Sequence, residues 1–306
     1  MGKSESHSEN DFGKYLDPLV ISKVSSFELR ARFIVEGFLL GLHKSPYHGF
    51  SIEFSQHRPY MQGDPLKDVD WKVYGKTDRY YVKQYEEETN LKSYLLIDNS
   101  NSMSFRYSGR VTKSEYAIML AAGLGYLMIN QKDAVGLGIY SDKIEKYLSP
   151  KSSNMYFREV LTALYQMKPS GKTSTSSSLG YFSEQIKRRG LVIVFSDLLD
   201  DVEQSLVSLK KIRNAKNEVI VFHILDPAEK NFGFGRDSIF VDLETGEEMA
   251  SQPYQVRRVY SEAVENYIHK IKKGCLDAGI DYNLIDTSTP FDKALIAYLQ
   301  KRSRLH

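Results

Sequence analysis

The sequence has one cysteine, Cys275, in 306 residues. That excludes an internal disulfide and a cysteine-built metal cluster, so nothing points to an oxidising compartment. The seven histidines are scattered, with no H-x₃-H or H-E-x-x-H spacing, which argues against structural zinc. An excess of either charge is also missing. With 41 basic and 39 acidic residues the net charge is +2, which removes the general electrostatic reason to expect nucleic acid or anionic lipid as a partner. The 21 tyrosines come without a basic patch, so they read as half-buried faces and not as an RNA-stacking surface. Long apolar runs are absent too. The most apolar early stretch, Phe33 to Leu42, is broken by Glu36 and falls short of the roughly 20 residues a membrane span needs. Residues 1–13 are polar, without a signal-peptide core, and read as a disordered tail; the expected location is the cytoplasm. No G-x-x-x-x-G-K-[ST] loop occurs, so any ATP hydrolysis must come from elsewhere.

What is present falls into two parts. In residues 14–90, Asp17-Pro18 offers a cap and a first-turn proline for a helix that runs to about Leu42. Phe50–Phe54 and Tyr80–Tyr85 alternate like strands, and Gly63-Asp64-Pro65 starts a short helix carrying Asp68, Asp70 and Trp71. No helix–strand repeat is visible here, so this part is expected to be a separate N-terminal lobe.

From residue 91 to 306 strands alternate with amphipathic helices, the mark of a mostly parallel sheet covered on both faces. The expected strands are Tyr94–Ile97, Ala134–Tyr140, Lys143–Leu148, Leu191–Ser196, Glu218–Leu225, Ile239–Asp242 and Tyr282–Ile285. Helices are expected near 112–130, 154–167, 176–188, 202–214, 254–278 and 291–302. Lys143–Leu148 follows its predecessor after a two-residue turn, so it must pair antiparallel, at an edge. The others can wind as a Rossmann-like α/β sheet of order 3-2-1-4-5-6.

The first strand, Tyr94-Leu95-Leu96-Ile97, runs directly into Asp98-Asn99-Ser100-Asn101-Ser102, the pattern D-x-S-x-S. The fourth long strand ends in Ser196-Asp197. In an open α/β sheet ligands sit beyond the carboxyl ends of the strands where the order reverses, and in this order strands one and four are neighbours there. Asp98 and Asp197 are therefore expected to face each other across one crevice. Two carboxylates so placed repel unless a cation stands between them. Oxygen donors without sulfur or imidazole select a hard ion: Mg²⁺ first, with Mn²⁺ or Ca²⁺ less well.

These residues resemble the three-part metal-ion-dependent adhesion site of von Willebrand factor A domains. The resemblance implies that Ser100, Ser102 and Thr173 offer hydroxyls to the ion. Asp98 and Asp197 then act largely through coordinated water, and one position stays open for a partner's carboxylate. The stretch Ile52-Glu53-Phe54, Arg58-Pro59-Tyr60, Gly63-Asp64, Val69-Asp70-Trp71, Val82-Lys83 and Glu86-Glu87-Glu88 is similar to domain-of-unknown-function family fifty-eight. The members of that family are prokaryotic proteins with a von Willebrand A-like domain. The likeness runs from about Leu16 to Arg302 and includes Ser196-Asp197-Leu198, Leu225-Asp226-Pro227, Asp242-x-Glu244-Thr245-Gly246 and Asp286-Thr287. Two departures are visible: Lys67 where the family usually has arginine, and Gly75-Lys76 in place of Ala-Arg. Lysine cannot reproduce an arginine's planar bidentate grip.

Within this signature Asp64 reads as a helix cap, Trp71 as a core anchor and Glu86–Glu88 as a solvated strand. The functional alternative makes Arg58, Asp64, Asp70, Trp71, Lys83 and Glu88 contacts between lobe and metal domain, or with a partner. Cys275 lies within a helical pattern and reads as packing.

Two function classes follow. The first is a non-enzymatic, cation-dependent interaction module, since spacing fixes no His, Cys or Lys near Asp98. For it the family resemblance implies a MoxR-type AAA+ ATPase as partner in a chaperone-like or stress-related system. The second is an Mg²⁺-dependent hydrolase or phosphatase using Asp98, Asp197, Asp200 and Asp201. Against it, Asp98-Asn99-Ser100 lacks the second aspartate of a D-x-D phosphotransferase.

Overall fold

The computed structural model describes residues 26–42, 58–59, 74–75, 78, 80–82, 91–172, 174–186, 189–234, 238–241, 243, 247–251 and 253–302. In chain order, helix α1 spans Phe27–Leu42, and strand β1 (Arg58–Pro59) pairs antiparallel with β2 (Tyr81–Val82). Then come β3 (Lys92–Asp98), α2 (Lys113–Asn130), β4 (Ala134–Tyr140), β5 (Ile144–Lys151), α3 (Asn154–Tyr165), α4 (Thr175–Gln185) and β6 (Leu191–Ser196). The rest are α5 (Val202–Asn214), β7 (Glu218–Leu225), α6 (Pro227–Asn231), β8 (Ser238–Val241), β9 (Glu248–Ser251), α7 (Pro253–Asp277), β10 (Asp281–Asp286) and α8 (Phe291–Arg302).

Strands β3, β4, β6 and β7 are runs of apolar residues buried on both faces, the composition a parallel sheet sandwiched between helices requires. The six-stranded sheet has the order β10-β7-β6-β3-β4-β5. Its pairs are parallel except β4 with β5, which is antiparallel and puts β5 at an edge. Counted along the chain this is the 3-2-1-4-5-6 order expected from the sequence, with its reversal between β3 and β6.

Because successive strand residues point to opposite faces, β3 feeds two cores. Leu95 and Ile97 pack with Ile193, Phe195 and Phe222 beneath α2, α3 and α8. Leu96 packs with Val192, Val194 and Val221 beneath α4, α5 and α7. Helix α2 runs through the first core. Its N-terminus is closed by a capping box: Thr112 Oγ1 accepts from Glu115 N at 3.0 Å, and Glu115 Oε2 accepts from Thr112 N at 2.8 Å. Helix α1, from the segment read as the N-terminal lobe, seats Ala31, Ile34 and Val35 in this same core. Cys275 on α7 is fully buried in the second core, where it packs and where desolvation pushes its thiol up to about 12.

One strand expectation is corrected. Ile239–Asp242 was expected to wind into the main sheet. Instead β8 pairs antiparallel with β9 in a separate hairpin, with Phe240 opposite Met249. The expected strand Phe50–Phe54 and the short helix carrying Asp68, Asp70 and Trp71 lie outside the described residues, as does the start of the first helix at Asp17. Among the described residues no helix is long and apolar enough to cross a membrane.

Candidate functional site

At the carboxyl end of the sheet β3 and β6 run side by side, with Ile97 paired to Phe195. The chain leaves each strand through an acid, Asp98 and Asp197, and both side chains are completely buried. Each is held by donors. Asp98 Oδ1 accepts from Ser100 N at 3.0 Å. Asp98 Oδ2 accepts from Ser196 Oγ at 2.7 Å and, at a longer 3.4 Å, from Thr175 Oγ1 at the start of α4. Burial, and then the nearby charge of Asp197, push the Asp98 carboxyl up to about 7. Each acid makes the other's charge costly, and a cation would relieve both.

Ser100 and Ser102 lie in the loop and short 3₁₀ turn after Asp98, their hydroxyl oxygens 3.0 Å apart. Asn99 staples this loop. Its Nδ2 donates to Glu145 Oε2 at 2.8 Å and to the Lys168 carbonyl at 3.0 Å, and its own carbonyl accepts from Ser170 N at 2.8 Å. Asn101 N donates to the Gly171 carbonyl at 3.1 Å. Gly171 has φ +75°, a left-handed conformation that glycine adopts freely. The segment leading to Thr173 is thereby held against the D-x-S-x-S loop. Thr173 itself lies outside the described residues, as do Asp64, Asp70, Trp71, Lys83 and Glu88. Arg58 is described only by its strand pairing with Val82.

After Asp197 the chain turns through Leu198, a buried leucine at φ +51°. That backbone costs a leucine on the order of 1 kcal/mol and persists because both of its peptide groups are tied. Leu198 N donates to Ser196 Oγ at 2.9 Å, and the Tyr267 hydroxyl of α7 donates to its carbonyl. Ser196 Oγ is thus shared between Leu198 and Asp98, joining the two strand ends.

Spacing fixes no lysine near Asp98, but the fold brings Lys113 to Asp197. Its ammonium, on the first residue of α2, donates to Asp197 Oδ2 at 2.8 Å and to Glu229 Oε1 at 2.7 Å, with no exposed side-chain surface. Desolvation works against the charge, yet the two carboxylates outweigh it and hold the ammonium above its ordinary value. Burial raises Asp197, but Lys113 more than offsets this and leaves the carboxyl below the usual aspartate range. Glu229 stays above the usual glutamate range, burial being the dominant cause.

Glu229 also completes a capping box with Asp226 at the start of α6. The Asp226 carboxylate accepts N–H bonds from Tyr107, Ser108, Gly109 and Ala228 at 2.8–3.0 Å. Burial alone would raise Asp226, but these four donors hold it below its ordinary value. The loop that follows the serines is thereby clamped to the end of β7.

The donors at the crevice are carboxylate and hydroxyl oxygens, the chemistry of a hard divalent cation's ligands. Among the described residues no cluster of three or more His, Cys, Asp or Glu side chains is disposed to hold a metal. A cation here would therefore depend on the serine hydroxyls, as the D-x-S-x-S reading requires.

The sequence profile of "Protein of unknown function DUF58" matches residues 56–269, well over half of the chain. The chain belongs to the DUF58 family. Uncharacterized proteins of Mycobacterium bovis and Mycobacterium tuberculosis are each 24% identical to it over 233 residues, covering 75% of this chain and 73% of the relative. Among solved structures, the conserved hypothetical protein BatB of Bacteroides thetaiotaomicron matches at 15% identity with TM-score 0.47, over 70% of this chain and 98% of BatB. An aerotolerance-related membrane protein of Bacteroides fragilis matches at 17% identity with TM-score 0.45, over 68% and 98%. The SpRpn10 VWA domain matches at 16% identity with TM-score 0.39, over 67% and 94%.

In this DUF58 chain the residues that sequence reasoning passed over are Lys113, Glu229, Ser196 and Thr175. One signal pointed to Lys113: a cation in the first turn of a helix opposes the helix dipole and needs a compensating anion. The Asp226-Pro227-x-Glu229 cap was readable in the same way.

Proposed function

We propose that this chain is a binding module whose Asp98–Asp197 crevice holds one divalent cation, Mg²⁺ by preference, and presents it to a carboxylate on a partner protein. The observation that carries this reading is the pair of buried acids at adjacent strand ends, beside two hydroxyls 3.0 Å apart. Ser100, Ser102 and, by the family resemblance, Thr173 would supply hydroxyls; Asp98 and Asp197 would supply charge. The ion, when bound, supplies an electrophilic centre for an anionic ligand. The chain's own part is to orient the donors: Ser196 and the Ser100 amide fix Asp98, Asn99 fixes the serine loop, and Leu198 and Tyr267 fix the turn after Asp197.

Binding rather than turnover is supported by how fully these acids are engaged by donors, and the family resemblance extends the reading to a MoxR-type AAA+ ATPase as partner in the cytoplasm. Binding of such an ATPase, measured by biolayer interferometry in Mg²⁺ and in EDTA, tests this. The reading expects association in Mg²⁺ that is lost in EDTA and in Ser100→Ala. Equal association under all three conditions overturns cation dependence.

A further inference from the structure

The acid that a cation at the crevice would need, Asp197, already has a cation. Lys113 reaches it at 2.8 Å from within the protein, and no solvent intervenes at a side chain with zero exposure. Lys113 is divided, however: Glu229 takes a second contact at 2.7 Å and is itself 15% exposed, at the solvent end of the triad. We propose that Lys113, shared between Asp197 and Glu229, keeps the crevice's affinity for a divalent cation low, and that Glu229 sets how low by drawing the ammonium away from Asp197. The inference rests on the metal reading above and adds the residues that set its affinity.

The argument is electrostatic. Two carboxylates attract a divalent ion, and an ammonium held on one of them opposes that attraction. It repels the incoming ion at short range in a low-dielectric setting, where such repulsion is poorly screened. Glu229 acts as the counterweight: the more firmly it holds the ammonium, the more of Asp197 remains for the ion. Through Asp226, the cap of the same short helix, this counterweight sits on the element that clamps the Tyr107–Gly109 loop beside the serines. Lys113 and Glu229 are positioning residues, since each acts on the ion through Asp197.

The test is Mn²⁺ titration calorimetry on the full chain, on wild type, Lys113→Met, Glu229→Gln and Asp98→Ala. Two shifts of opposite sign are expected. Lys113→Met binds Mn²⁺ about tenfold or more tighter than wild type. Glu229→Gln, in which the ammonium belongs wholly to Asp197, binds about tenfold weaker, within the range typical of such couplings. A merely structural role for the triad predicts loss in both. Lys113→Met leaves two buried carboxylates without their cation; if it fails to fold, the double variant Lys113→Met/Glu229→Gln, which removes one of those carboxylates together with the ammonium, is expected to bind Mn²⁺ tighter than wild type, where a structural role predicts loss. Mn²⁺ binding by Lys113→Met but not by wild type supports the proposal in its strongest form. Wild-type binding abolished by Asp98→Ala, but matched by Lys113→Met or strengthened by Glu229→Gln, overturns the proposal and leaves the metal reading standing. Binding by no variant at all overturns both.

Discussion

At the scale of single residues, the carboxyl end of the sheet is a set of ionisable groups whose charges are fixed by burial and by neighbours. His223, on β7, shows the consequence. It is fully buried, Tyr282 lies 2.6 Å from its Nδ1, and its Nε2 has no hydrogen-bond partner. Desolvation, outweighing attraction to Asp197 and aided by Lys113, lowers it from 6.5 to about 4. The imidazole is therefore neutral when folded, while in the unfolded chain it takes up a proton near 6.5. The folded state binds fewer protons between these two values, so the stability His223 contributes is complete above pH 6.5 and is lost as pH falls toward 4. A thermal midpoint that drops over this interval, with a shallower drop in His223→Gln, is the expected result; identical profiles would remove His223 from the account. Asp226 works at lower pH. Its four N–H donors lower its pKa, so its contribution is present above the ordinary aspartate value and is lost only as pH falls through the lowered one. Asp226→Ala removes an acceptor from four amides and should cost roughly 2–3 kcal/mol or more, with faster hydrogen exchange at Tyr107, Ser108 and Gly109 as its local signature.

Asp98 and Asp197 were legible in the sequence because strand ends in an open α/β sheet are where ligands gather. Lys113 was legible only as a cation placed against the helix dipole; a lysine in a first helical turn is ordinarily solvated, and the three-dimensional meeting of α2, β6 and α6 shows that this one is buried.

At the scale of elements, periodicity revealed most of the sheet. Strands such as Leu191–Ser196 are unbroken apolar runs, and helices α5 and α8 have the bounds their patterns predicted. The hairpin β8–β9 escaped. Ile239 and Phe240 look like any strand, while the partner segment Glu-Met-Ala-Ser carries no β-branched or aromatic residue to mark it. Helix α6 escaped because five residues cannot display a helical period. The docking of α1 onto α2 was equally invisible, since it depends on Gly123. A Cβ at that position would meet Ile34 Cγ2 at 2.9 Å, closer than carbon atoms approach. Gly123→Ala is therefore expected to push α1 outward and cost about 1–3 kcal/mol, a loss of several degrees in thermal midpoint. A smaller cost of Gly123→Ala in an Ile34→Ala background, where the opposing Cγ2 is gone, would tie the loss to this contact; a Gly123→Ala protein as stable as wild type would contradict the packing described.

At the scale of the whole molecule, the Asp98–Asp197 crevice lies at the carboxyl end of adjacent central strands of the α/β sheet. A cation there would act on the entire cooperative unit, because β3 and β6 are the central strands and both cores converge on them. Thermal unfolding of wild type and Asp98→Ala, each with and without saturating Mg²⁺, tests this most directly. An ion at 100 times its dissociation constant stabilises by about 2.7 kcal/mol. The account predicts a rise of several degrees for wild type and none for Asp98→Ala, whereas equal shifts in the two proteins, or none in either even with an added carboxylate ligand, would contradict it.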